Sequence, residues 1–109
     1  MNDLTLREIC KAADVSRRAV QGYEKAGLVS ASGKNTHGYL LYDTDALKRI
    51  KKIRLLQQLG FKIKEIKTII DAPNPILKSA LKEQVKKLEN RKAEMEVLIN
   101  ETYKIIEKL

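Results

Sequence analysis

A chain of 109 residues, 43% hydrophobic and 33% charged, is sized for one small soluble domain with room for an appendage. No apolar run is long enough to cross a bilayer, the N-terminus lacks the basic-then-apolar pattern of a secretory signal, and the one cysteine, Cys10, excludes an intrachain disulfide framework and fits a reducing cytoplasm. A net charge of +8 attracts polyanions, chiefly nucleic acid or an anionic membrane surface, between which charge alone does not choose, while one Phe, four Tyr and no Trp lack the aromatics of a base-stacking single-strand binder or a membrane-inserting segment.

In chain order, Thr5-Leu6-Arg7-Glu8 fits a capping box that opens a helix over Leu6 to Ala13, with Leu6, Ile9, Cys10 and Ala13 on an apolar stripe. Cys10 reads as a small buried hydrophobe on that stripe. After Asp14 and Val15, Ser16 is a good N-cap and Gly27 a good terminating residue for a second short helix. There Val20 and Tyr23 or Glu24 share one face, and Arg17, Arg18 and Gln21 point outward. Two short helices, a tight turn and arginines on the second helix's first turn have the layout of a helix-turn-helix. A solvated basic helix in another small α-domain stays open on these residues alone.

Next comes a turn-rich stretch, Ser30 to Gly38, flanked by Leu28-Val29 and Tyr39-Leu40-Leu41-Tyr42. It predicts two short strands in a hairpin wing, with Lys34 and Asn35 at the tip able to reach a phosphate. His37 reads as a solvated or hydrogen-bonded histidine. Asp43 or Thr44 caps a helix to about Gln58, with Leu47, Ile50, Ile53, Leu56 and Leu59 inside and Lys48, Arg49, Lys51, Lys52 and Arg54 on its other side. Phe61 anchors a turn into a fourth short helix carrying Ile63, Ile66, Ile69 and Ile70. Lys62 and Lys64 stand at its start, where free N–H groups favour a phosphate. Residues 1–71 hold 14 Lys/Arg against 8 Asp/Glu and residues 72–109 hold 8 against 6, so most of the positive charge lies in the first part.

Prolines at 73 and 75 break the chain. From Ile76 to Leu109 nothing interrupts a helix that would span roughly 50 Å at about 1.5 Å per residue. Leu81, Leu88, Met95 and Thr102, with Val85, Lys92, Ile99 and Ile106, recur in heptads, and Leu98 and Ile105 widen the stripe. A lone helix of that length has nowhere to bury such a stripe on a 70-residue domain, so pairing with a second chain is expected, with folding back on its own domain as the alternative. The domain reading is thus 1–72, a proline hinge at 73–75, and a dimerisation helix over 76–109.

The ordered set Leu4 to Ile9, Val15-Ser16, Arg18-Ala19-Val20, Tyr23-Glu24, Gly27-Leu28, Gly38-Tyr39, Leu41-Tyr42, Asp45-Ala46-Leu47, Leu59-Gly60-Phe61 and Glu65-Ile66 resembles the mercury-resistance regulator (MerR) family of bacterial transcription regulators. The resemblance implies a mainly α winged helix-turn-helix of four short helices and a β-hairpin wing, then a long coiled-coil helix paired antiparallel in a homodimer. It implies binding to a pseudo-palindromic promoter whose duplex is bent and untwisted, a form of indirect readout. RNA polymerase at that promoter is the further implied partner. Carried over by position, Arg18 and Tyr23 are expected at the DNA, Tyr39 and Tyr42 belong to the wing, and the Phe61 to Lys64 turn is a second wing. The DNA-binding set is then Ser16, Arg17, Arg18, Gln21, Tyr23, Lys34, Tyr39, Tyr42, Lys62 and Lys64. The dimerisation set is Leu81, Val85, Leu88, Met95, Leu98, Ile99, Ile105 and Ile106.

Two departures from the family pattern stand out. Gln21-Gly22 replaces an arginine and a tyrosine in the second helix, and Leu40 replaces a wing arginine. Family members sense their signal beyond the long helix, through cysteines or an appended ligand domain. Neither occurs here, which leaves an effector-free small member or a chain without its effector part. No cofactor or metal is called for, and no membrane partner. No acid/base pair, no nucleophile with a base partner and no phosphate-cradling glycine motif points to an enzyme. The competing readings are an excision or partition protein of the same fold and a protein-interaction module.

Overall fold

In the computed structural model, which describes residues 3–109, the chain divides into a unit ending at Asp71 and a second from Ala72 to Leu109. Thr5 serves two elements of the first unit. It ends strand β1 (Leu4–Thr5) and caps helix α1 (Leu6–Ala13). Its Oγ1 accepts from the Glu8 amide at 3.3 Å, and Glu8 Oε1 accepts from the Thr5 amide at 2.9 Å, forming the expected capping box. The bond from the Thr5 amide holds the Glu8 carboxyl below its ordinary range. α1 ends at Asp14, which takes a left-handed conformation (φ 53°) that Asp adopts more readily than most residues. After buried Val15, Ser16 Oγ accepts from the Ala19 amide at 3.0 Å and starts α2 (Arg17–Lys25). Gly27, at φ 77°, closes α2 where a Cβ would be strained.

The wing forms with its first strand shifted. Leu28 and Val29, predicted to lead into it, are both buried in an irregular connection, and β2 is Gly33–Lys34. Two successive buried residues do not suit a strand whose side chains alternate between core and solvent. β3 (Leu40–Tyr42) pairs antiparallel with β2 (Gly33↔Leu41, Lys34↔Leu40) and with β1 (Leu4↔Tyr42, Thr5↔Leu41). The sheet order is therefore β1-β3-β2, and the third strand ties the start of α1 to the wing.

Asp43 Oδ1 accepts from the Ala46 amide at 2.8 Å and caps α3 (Thr44–Gln58). Ile50, Ile53 and Leu56 of α3 meet Ile9, Val20, Tyr42 and Ile66 of α4 (Ile63–Ile69) in the core. Each large side chain buried there contributes about 1.5–3 kcal/mol. Arg49 fastens the rim. Its Nη1 and Nη2 each donate to one Asp71 carboxylate oxygen at 2.8 Å, and its Nε donates to the Leu28 carbonyl. The pair raises the guanidinium's pKa and holds the Asp71 carboxyl below its ordinary value.

The second unit is α5 (Asn74–Lys108). The helix starts two residues before the expected Ile76, because Pro75 lies in the first turn, where its missing N–H leaves no bond unmade. The predicted heptad stripe is largely uncovered. Val85, Met95, Leu98, Ile99, Ile105 and Ile106 are exposed, while Leu81 and Leu88 are half-buried. Thr102 Oγ1 donates to the Leu98 carbonyl at 2.7 Å, so its hydroxyl is already satisfied within the helix. Among the described residues no helix is long and apolar enough to cross a membrane.

Candidate nucleic-acid interface

The outward face of α2 follows from what its inward face holds. Val20 and Tyr23, three apart, are buried, which leaves Arg17, Arg18 and Gln21 exposed on the opposite side with Ser16 at the entry. The first turn carries two arginines and no acid, at the helix end where the backbone dipole is already positive. Among the described residues neither arginine forms an ion pair. Such an arrangement is unfavourable in isolation and is relieved by an anion. A Cβ added at Gly22 would meet nothing within 4 Å, so the exposed position beside Arg18 on this face is bare backbone.

The wing tip is built on one side chain. Asn35 Oδ1 accepts from the amides of His37 (2.9 Å) and Tyr39 (3.0 Å), and the Asn35 amide donates to the Tyr39 carbonyl at 2.9 Å. Gly38 takes φ 81°, which completes the reversal. Asn35, expected to reach out to a phosphate, instead holds the loop with its acceptor turned inward. The scaffold presents Lys34 and a Tyr39 that is 65% exposed, with the His37 ring 6.4 Å from the Tyr39 ring.

Two members of the expected DNA-binding set lie elsewhere. Tyr23 is 2% exposed, and its hydroxyl donates to Gln57 Oε1 at 2.6 Å, fixing α2 on α3. Tyr42 is 1% exposed, and its hydroxyl donates to Glu24 Oε1, fixing the wing on the end of α2. Burial raises the pKa of both, and for Tyr42 the Glu24 carboxylate adds to it. The reason is geometric. Tyr23 sits one helical turn after the fully buried Val20, and Tyr42 pairs with Leu4 on the inner side of the sheet. These tyrosines orient the surface that other residues present.

At the turn expected to act as a second wing, Phe61 is buried and Lys62 and Lys64 are exposed. The amide of Lys62 donates to Glu65 Oε1 at 3.0 Å. A carboxylate thus sits at the N-terminal end of α4, on the amide of its N-cap residue.

A groove of about 620 Å³ lies between the start of α1, the start of α2 and the wing, lined by Arg7, Arg17, Tyr39 and Leu40 among others. Arg7 has no place in the sequence-based set. Besides Thr5 and Leu6 next to it, the groove sets it beside Arg17, Gly38, Tyr39 and Leu40, which are ten or more residues away in the chain, so no local pattern marks it. Cys10 is half-buried rather than fully buried, and among the described residues no cluster of three His, Cys, Asp or Glu side chains is placed to hold a metal.

Comparison with known proteins matches this geometry. A family model described as "MerR HTH family regulatory protein" matches residues 4–73, and a second, "MerR, DNA binding", matches residues 47–102. The HTH-type transcriptional activator mta of Bacillus subtilis is 31% identical over 94 residues, covering 86% of this chain and 37% of that protein. The HTH-type transcriptional regulator SkgA of Caulobacter vibrioides is 30% identical over 88 residues, covering 81% and 34%. The chain spans about a third of the length of such curated relatives. Among solved structures, the N-terminus of the Bacillus subtilis multidrug transporter activator superposes with a TM-score of 0.71 at 28% identity, covering 94% of this chain and 97% of that one. HiNmlR, a MerR family regulator lacking the sensor domain and bound to promoter DNA, shares the fold with a TM-score of 0.74 at 22% identity, covering 91% and 80%.

Proposed function

The chain belongs to the MerR HTH family of regulatory proteins, and from that premise we propose that it is a transcription regulator that binds a pseudo-palindromic promoter as a homodimer and distorts it. In this reading residues 1–72 hold the duplex. Arg17, Arg18 and Gln21 of α2 meet the groove, Ser16 and Tyr39 meet the flanking backbone, and Lys34, Lys62 and Lys64 meet phosphates on either side. Tyr23 and Tyr42 act from inside, by setting the angles of α2 and the wing. The observation that carries the proposal is the outward face of α2, with two exposed arginines that have no acidic partner among the described residues.

Residues 76–109 pair antiparallel with the same helix of a second copy. The support is the row of large apolar side chains left in solvent along α5, which a soluble monomer has no reason to carry. Pairing would set two copies of α2 at a fixed spacing, so the site should be two-fold symmetric. The proline segment at 73–75 separates the two tasks. The proposal places the protein in the cytoplasm, with RNA polymerase as a partner at the promoter, and assigns it no catalytic step. The test is selection of bound duplexes from a random pool. Enrichment of an inverted repeat is expected, and no enrichment would overturn the proposal.

A further inference from the structure

We propose that Arg7, at the start of α1, is a phosphate-binding residue that grips the DNA backbone from the groove between α1 and the wing. The assignment rests on the DNA-binding reading above. The groove is walled by Tyr39 and Leu40 of the wing, so the wing lends it an aromatic ring and an apolar side chain but no charge. Both cations that line it come from the helices: Arg7 in the first turn of α1 and Arg17 in the first turn of α2. Both are exposed, and neither has a carboxylate partner among the described residues.

The nearest acid along the chain, Glu8, is bonded to the Thr5 amide at 2.9 Å and does not neutralise Arg7. Two unpaired guanidinium groups on one concave surface repel each other, and a phosphodiester oxygen between them removes that repulsion. Arg7 and Arg17 are the charged side chains among its lining residues, which favours an anion as occupant. Its position is rigid, because Thr5 is at once the cap of α1 and the partner of Leu41 in the sheet. The backbone at the start of α1 is therefore held against β3 whenever the wing is formed. The register also explains how a wing with leucine at position 40 can still lie against a charged strand: the charge is supplied from the neighbouring helix.

The test uses a duplex recovered by selection and binding measured by fluorescence anisotropy across a salt series. Arg7→Gln should weaken binding by about tenfold and lower the salt slope by about one per protomer, with Arg7→Lys retaining most of the slope. Arg7 is exposed, so the melting midpoint should not move. Replacing phosphates one at a time by neutral methylphosphonates should then reveal one position per half-site where the wild type loses affinity and Arg7→Gln does not. Wild-type binding with an unchanged affinity and slope in Arg7→Gln would overturn the assignment and leave the proposed function standing. A methylphosphonate scan with no such position would do the same. Failure of the wild type to bind any duplex would overturn the proposed function and the assignment together.

Discussion

The unit ending at Asp71 and the helix that follows treat their large apolar residues in opposite ways. In the first, Ile9, Val20, Ile50, Ile53 and Ile66 have no exposed surface. In the second, Leu98, Ile99, Ile105 and Ile106 are each more than half exposed. Both sets repeat at helical spacing and have similar hydropathy, so sequence character does not separate them. What separates them is whether the chain supplies a partner surface. The first unit folds its helices onto one another and onto a three-stranded sheet. The second is one continuous helix, and over its C-terminal part the row of large apolar side chains is left in solvent. A unit of the first kind should respond to mutation through stability, and one of the second kind through association.

The sharpest way to break this comparison is a pair of substitutions. Ile53→Ala should destabilise the first unit by about 2–5 kcal/mol, as lost burial plus a residual cavity, read as a lower urea midpoint. Met95→Glu with Ile99→Glu should leave that unit's unfolding in place and abolish self-association in sedimentation. If the α5 variant instead melted the first unit, the division of labour would be wrong.

Tyr23→Phe comes next in size. Losing the bond to Gln57 should cost about 1 kcal/mol of stability and leave the salt slope of DNA binding unchanged, because the hydroxyl points at α3 and not at solvent. Gly22→Ala should stabilise α2 by up to about 1 kcal/mol, since nothing lies within 4 Å of the new methyl. A gain in melting midpoint with unchanged DNA affinity would mean that the bare backbone there is not used for close approach to the duplex. The smallest effect is in the pH response. The Tyr42 hydroxyl ionises above its ordinary value of 10.0 in the folded state, through burial and then the Glu24 carboxylate. The folded chain therefore holds a proton that the unfolded chain releases, so this contribution is whole below pH 10.0 and declines as the pH rises above it. Tyr42→Phe should flatten that alkaline fall in melting midpoint.

Caps and breaks were legible from the sequence because their signals are local. Thr5 with Glu8, Ser16 and Asp43 each act over three residues, and the structure places each bond where the spacing puts it. Strand β1 was not legible, since two residues have no periodicity and owe their pairing entirely to β3. Tyr23 is the instructive case. Its spacing from Val20 marks it as an inward residue, whereas its position in the family pattern suggested the DNA. The periodicity was the better guide to where the side chain goes. Arg7 was hidden for the same reason as β1, because its groove exists only once the sheet has brought the wing to the start of α1.

The most direct test of the division between a self-contained reader and an open pairing helix is binding stoichiometry on a selected two-fold symmetric duplex. Titration should end at two protomers per duplex for the wild type, and Met95→Glu with Ile99→Glu should bind the same duplex with affinity lower by about a hundredfold or more, the loss expected when two linked sites act separately. One protomer per duplex, with affinity indifferent to the double substitution, would contradict the account.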